Sequence, residues 1–245
     1  MISIACAACT VIFSYNFLNA RHKAQQEAAL QNKQMVENIN SLQSFIQTGA
    51  EGDIPEFKPT GTVDTDTFFR ALRDFYAKYF QSWRQMRTRL DALQERPISD
   101  DAVLTNKSYL SSEIQKRIAG QNIIAEFGTN ALSMILDFKR DCSALQVGEE
   151  FKQGVLKGFD KWFPQYQAMF AAWIKSQRTE QTLLQFLAVN FQDYELTSGQ
   201  ILFGSAANRQ EYDVLAKAVQ DAAAEVEDYQ KRGLTAVEES KRKFQ

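Results

Sequence analysis

Apolar residues recur every three or four positions along most of this chain, and only four prolines and eleven glycines interrupt its 245 residues. A period near 3.6 places such residues on one face of a helix, and scarce breakers let those faces run on. The expected fold class is therefore all-α. We read an antiparallel helical bundle of about five to six helices, with a long N-terminal helix that begins as a membrane anchor. The domain reading is an anchor or signal segment over 1–20, a juxtamembrane helix over 21–47, a linker loop over 48–63 and the bundle over 64–245.

The stripes can be named. Phe68, Leu72, Phe75, Tyr79, Trp83, Met86, Leu90 and Leu93 lie on one face of a helix capped by Asp64 or Thr65 and running to about Glu95, before Pro97. Phe69, Tyr76 and Phe80 widen that stripe. A helix over about 107–145 carries Leu110, Ile114, Ile118, Ile124, Phe127, Ile135, Phe138, Cys142 and Leu145. Its Gly120 and Gly128 cost helix propensity, so close packing against a neighbour is the expected compensation. A helix over about 149–176 carries the most aromatic stripe, which includes Trp162, Tyr166 and Trp173. Gly154 and Gly158 favour close approach there, and Pro164 should kink it. A shorter helix over 180–196, a glycine-bounded apolar loop over 197–204 and a final helix from about Asn208 complete the reading.

Met1 to Ala20 contains no charged residue, and Arg21-His22-Lys23 follow. About twenty uncharged helical residues suffice to cross a ~30 Å hydrocarbon core. Three readings stay open: an uncleaved anchor, a cleaved signal peptide, and a lipoprotein signal with Cys6 or Cys9 as candidate lipidation sites. The next segment has Met35, Ile39, Leu42 and Ile46 stepping by four, three and four. Such a narrow seam suits one partner helix rather than a core.

Chemistry is sparse. The one histidine, His22, lies beside the anchor, so a Ser-His-Asp or Cys-His site would need it there. No catalytic residue, metal ligand set, cofactor or nucleotide motif is expected. A net charge of −2 supplies no field for nucleic acid. Arg84, Arg87, Arg89 and Arg96 read as a solvated face, with an anion or lipid-headgroup contact as the alternative. Glu149-Glu150 and Glu238-Glu239 point in different directions as helix neighbours and read as surface charge. Trp162, Tyr166 and Trp173 are candidate ligand-lining residues on a stripe that otherwise reads as core.

Two stretches resemble a family of uncharacterised, all-helical bacterial envelope lipoproteins. One is Lys58-Pro59-Thr60-Gly61-Thr62 leading into an aromatic helix. The other is Phe191-Gln192-Asp193-Tyr194, Gly199-Gln200-Ile201-Leu202-Phe203 and Glu211-Tyr212. The resemblance implies an envelope location and no activity. The chain departs from that pattern at its N-terminus, where a hydrophobic run and a long helix stand in place of a short polar spacer.

The expectation is a non-enzymatic, membrane-anchored bundle of the bacterial envelope. It would sit in the inner membrane with its body in the periplasm, and act through an unidentified protein partner or self-association. The alternative is an extracytoplasmic sensing or small apolar ligand-binding bundle.

Overall fold

The computed structural model describes residues 53–242 and, before them, 33, 34, 36–38, 40, 41, 44 and 45; side chains are described through Arg232. The elements with defined bounds are α1 (Val63–Asp91), α2 (Asp101–Leu104), α3 (Lys107–Ala144), α4 (Glu149–Val189), β1 (Tyr194–Thr197), β2 (Gln200–Phe203) and α5 (Ala206–Arg242). The described residues between 33 and 45 are helical as well. The protein is thus mostly helical, with packing compatible with a bundle, plus one small sheet.

The chain divides into two compact units, and α1, α3, α4 and α5 each contribute a part to both. In the first unit the core is aromatic. Phe75 stacks on Phe138 at 4.8 Å, and Phe138 meets Phe159 edge-on at 5.4 Å. Phe68 packs edge-on against Phe151 at 5.8 Å. Such pairs contribute about 0.5–1.5 kcal/mol each beyond their area burial. Phe45, from the helical residues before α1, sits edge-on to Phe80 at 5.1 Å. Buried Asn38 makes a pair of hydrogen bonds to the backbone of Lys58: its Nδ2 donates to Lys58 O at 2.8 Å, and its Oδ1 accepts from Lys58 N at 2.7 Å.

The core of the second unit is aliphatic at its centre. Val103, Leu104, Leu110, Leu183, Leu184 and Leu187 are buried together with Phe186 and Tyr194. Val103 and Leu104 arrive on α2, a single turn opened by Asp100, whose side chain accepts from Ala102 N. Asn106 then caps α3 through Oδ1, which accepts from Ser108 N and Tyr109 N.

Several expectations change. The 197–204 loop, and the end of the helix expected over 180–196, form a β-hairpin, so the fold is not purely α. Tyr194 pairs with Phe203 and Leu196 with Ile201 across antiparallel strands. The two-residue loop Ser198-Gly199 has φ of 53° and 75°, the pair of positive values that a twist-matched hairpin turn requires. The helices expected over 149–176 and 180–196 are one helix that ends at Val189. No proline or glycine lies between Ser176 and Glu180, and Thr179 and Thr182 bond back to carbonyls of their own helix. Pro164 lies inside this helix without ending it.

Helix α1 begins at Val63, so Asp64 and Thr65 belong to its first turn rather than capping it. Asp64 instead accepts from Gly148 N at 2.7 Å, across 84 residues of chain. The other end of α1 stops at Asp91 rather than Glu95, because Gln94 takes a left-handed φ of 48° that no helix continues.

No helix of the described residues is long and apolar enough to cross a membrane. The segment read as an anchor, residues 1–20, lies outside the described residues.

Candidate functional site

A chain that leaves a helix carries carbonyls that no helix satisfies. In the turn after α1 these belong to Gln94 and Arg96, and α3 supplies their donors. Lys116 Nζ reaches Gln94 O at 3.0 Å, and Arg117 Nη2 reaches Arg96 O at 2.8 Å. Arg96 N donates in return to Glu113 Oε2 at 3.0 Å.

Around Arg117 the second unit gathers three carboxylates. Nε of Arg117 donates to Glu180 Oε2 at 2.7 Å. Nη1 lies 2.8 Å from Glu95 Oε2 and 3.6 Å from Glu113 Oε2, as ion pairs without an aligned hydrogen bond. Lys116 Nζ holds the other oxygen of Glu113 at 2.6 Å. Arg117 and Glu113 are 3% and 2% exposed, so water screens these charges little. Beside them Gln121 donates to Gln181 at 2.6 Å, a second link between α3 and α4.

Glu95 is the unusual member. Burial pushes its carboxyl above the ordinary range, and the charges of Glu180 and Glu113 act in the same sense; Arg117 and Gln177 oppose them. Its Oε1 and Gln177 Oε1 are both buried, and neither meets a donor among the described residues. Both also lie against Gly120: a Cβ there would sit 2.8 Å from Glu95 Oε1 and 3.1 Å from Gln177 Oε1. The cluster can hold charge and exchange a proton; its remaining polar groups are engaged in fastening a turn to two helices.

The first unit contains a half-open groove of about 330 Å³, lined by Phe57, Pro59, Phe69, Asp66, Lys58, Arg70 and Arg73. Its charged groups are already engaged. Lys58 bonds Glu37 at 2.9 Å, which holds the Glu37 carboxyl below its ordinary range. Arg73 lies 3.6 Å from Glu56, and Arg70 donates to Thr67 Oγ1 at 3.3 Å. Asp66 Oδ1 accepts from both the backbone and the hydroxyl of Thr60. The lining carries three cations and one carboxylate, and Glu37 and Glu56 pair with Lys58 and Arg73 from outside it.

The residues named from the sequence fall as follows. Trp162, Tyr166 and Trp173 are all buried on α4. Trp162 and Tyr166 stand one turn apart in the first unit, whereas Trp173 belongs to the second. The indole Nε1 of Trp162 is buried without an acceptor among the described residues, and Lys161 Nζ lies 5.4 Å from its ring centroid. Met35, Ile39, Leu42 and Ile46 of the seam, and Cys6 and Cys9, lie outside the described residues. Cys142 is buried on α3 and forms no disulfide among the described residues. Of the arginines, Arg87 lies 3.9 Å from Asp91 and Arg89 2.8 Å from Glu126. Arg96 lies 3.6 Å from Asp100 and stands over the Tyr109 ring.

The Arg117 cluster is absent from the sequence reading, although a signal exists. Glu113 and Arg117 interleave with Leu110, Ile114 and Ile118, so two charges fall on an inward stripe at a spacing of four. A charge at a core position requires a partner, and the partners Glu95 and Glu180 come from distant segments. No protein-family model, no curated protein and no solved structure matches this chain.

Proposed function

We propose that this protein is a non-catalytic helical bundle that acts by protein–protein contacts and is held at a bacterial inner membrane by its N-terminal segment. The observation that carries the reading is the incompletely covered stripe of α5. Tyr212, Leu215, Val219 and Val226 recur on one face with buried Ala222; Tyr212, Leu215 and Val219 pack against the aliphatic core yet stay only partly buried, and Val214 beside them is 64% exposed. An apolar stripe left half in water has free energy to gain from a further helical surface. The narrow 35/39/42/46 spacing offers a surface of the same kind. Resemblance to helical envelope lipoproteins supports a periplasmic body.

The test joins location to assembly. Protease should digest the body in spheroplasts but not in intact cells, and Ile39→Asp with Ile46→Asp should abolish self-association or a co-purifying partner. Protection until lysis would remove the periplasmic placement, and unchanged assembly would remove the contact reading.

A second reading, binding of a small apolar ligand, rests on Trp162. Its buried indole N–H lacks an acceptor among the described residues, and such a group costs stability unless something pairs with it. Lipid and aromatic probes should then change tryptophan fluorescence and raise the melting temperature. A flat response in both would reject it.

A further inference from the structure

We propose that the groove between residues 57–59 and the first turns of α1 docks an acidic peptide segment of a partner protein. One apolar side chain of the peptide sits on Phe57 and Phe69, and its carboxylates are held by Arg70, Arg73 and Lys58. The groove shares no residue with the α5 stripe or the 35/39/42/46 spacing, so it is a contact surface in its own right.

Two kinds of surface meet there. The floor is aromatic: the Phe57 and Phe69 rings stand 4.9 Å apart, and Phe69 is 4% exposed. The rim is cationic. Arg70 and Arg73 lie one turn apart on α1, and exposed Lys58 comes from the segment before it. Asp66 is the lone carboxylate of the described lining, and its Oδ1 is taken by the backbone and hydroxyl of Thr60.

These cations are open to a visiting carboxylate. Among the described residues Arg70 bonds only neutral oxygens, Asp66 O at 3.4 Å and Thr67 Oγ1 at 3.3 Å. Arg73 pairs with Glu56 at 3.6 Å, and the two side chains are 46% and 86% exposed. Lys58 pairs with Glu37, also in reach of water. Exposed pairs of this kind contribute little to stability, so exchanging Glu56 or Glu37 for a ligand carboxylate costs little. Two of the three cations already hold carboxylates that come from outside the lining, which is the chemistry a docked acidic segment would repeat. Guanidinium forks suit it, because they bind carboxylates bidentately.

The shape favours a peptide over other anionic surfaces. Phe69 is recessed while Lys58, Pro59, Arg70 and Arg73 are exposed, so a flat membrane face meets the rim without the floor. A volume of about 330 Å³ is at the lower end of ligand clefts, and it suits a single apolar side chain rather than an acyl chain. Glu37 and Glu56 oppose the continuous phosphate row of a nucleic acid. A small inorganic anion leaves the aromatic floor in water. An acidic segment with an apolar residue covers both surfaces.

The experiment is fluorescence polarisation with the full chain and an array of labelled hexapeptides in which one phenylalanine or leucine is flanked by aspartates and glutamates. Array members should bind saturably, and less tightly as salt is raised. Replacing their acids by amides, or their apolar residue by glycine, should each weaken binding by about tenfold. Arg70→Gln and Arg73→Gln, both at exposed positions, should do the same, whereas Glu56→Gln should tighten binding because it releases Arg73. If no array member binds more tightly than about 1 mM, the proposal is overturned. Binding indifferent to Arg70→Gln and Arg73→Gln together would overturn it as well, and so would anionic-lipid vesicles that bind through these two arginines when no peptide does. None of these failures touches self-association through the 35/39/42/46 spacing, which contributes no residue to the groove.

Discussion

Arg117 Nε donates to Glu180 Oε2 at 2.7 Å, joining α3 to α4 across 63 residues of chain. The same guanidinium closes the turn after α1 through Arg96 O. Arg117→Met removes the positive centre and leaves Glu113, 2% exposed, with only Lys116 as its cation. Breaking a buried ion pair from one side costs about 3–5 kcal/mol. Urea denaturation should show a loss of that size; a loss under 1 kcal/mol would mean that the cluster contributes little.

Gly128 supports a prediction opposite in sign to helix propensity. Alanine in place of glycine inside a helix ordinarily gains about 1 kcal/mol. Here a Cβ would lie 3.2–3.4 Å from three carbons of Phe170, a ring that is 4% exposed and held edge-on by Phe127. Overpacking of this kind costs about 1–3 kcal/mol. Gly128→Ala should therefore lower the melting temperature, and Phe170→Leu in the same chain should recover part of the loss.

Tyr194 links pH to the hairpin. Its hydroxyl donates to Leu104 O at 2.7 Å, and burial pushes its pKa up to about 12. Between the ordinary value of 10.0 and that value the folded state keeps a proton that the unfolded state loses. Stability should therefore fall as pH rises through this window. Tyr212, also raised by burial and by Asp213, adds to the same limb. Tyr194→Phe should cost about 0.5–1.5 kcal/mol at neutral pH and shrink the alkaline fall, read by thermal melts at pH 9 to 11.

The turn at Ser198-Gly199 should discriminate between two substitutions. Gly199 has φ of 75°, where a side chain costs about 1–2 kcal/mol. Gly199→Ala should destabilise by that amount. Ser198→Asn, at φ 53°, should stabilise by a few tenths of a kcal/mol, because asparagine tolerates this region. Hydrogen exchange of the paired amides of β1 and β2 is the direct measurement.

Much of the fold was legible residue by residue. The stripe from Phe68 to Met86 is buried throughout apart from the positions between its apolar residues, and Leu110, Ile124, Phe127, Ile135 and Phe138 lie inside as their spacing predicts. Close packing at Gly120 and Gly128 was also foreseeable, because a helix tolerates glycine where a neighbour takes the space. The hairpin was not legible. Each strand is only four residues long, too short for an alternating pattern to stand out from a loop. The aromatic contacts that hold it, Tyr194 and Phe186 on Phe203, come from outside its own strand.

By itself the sequence determined which faces are apolar and where most helices run, since both follow from local spacing and the scarcity of breakers. Where α1 stops and which carboxylates share Arg117 were decided by tertiary structure. Those outcomes depend on partners such as Lys116, Gln121 and Glu180, brought together from far along the chain. A buried charge or an unpaired carbonyl is satisfied only by the group that folding places within about 3 Å of it, and no local pattern encodes that distance.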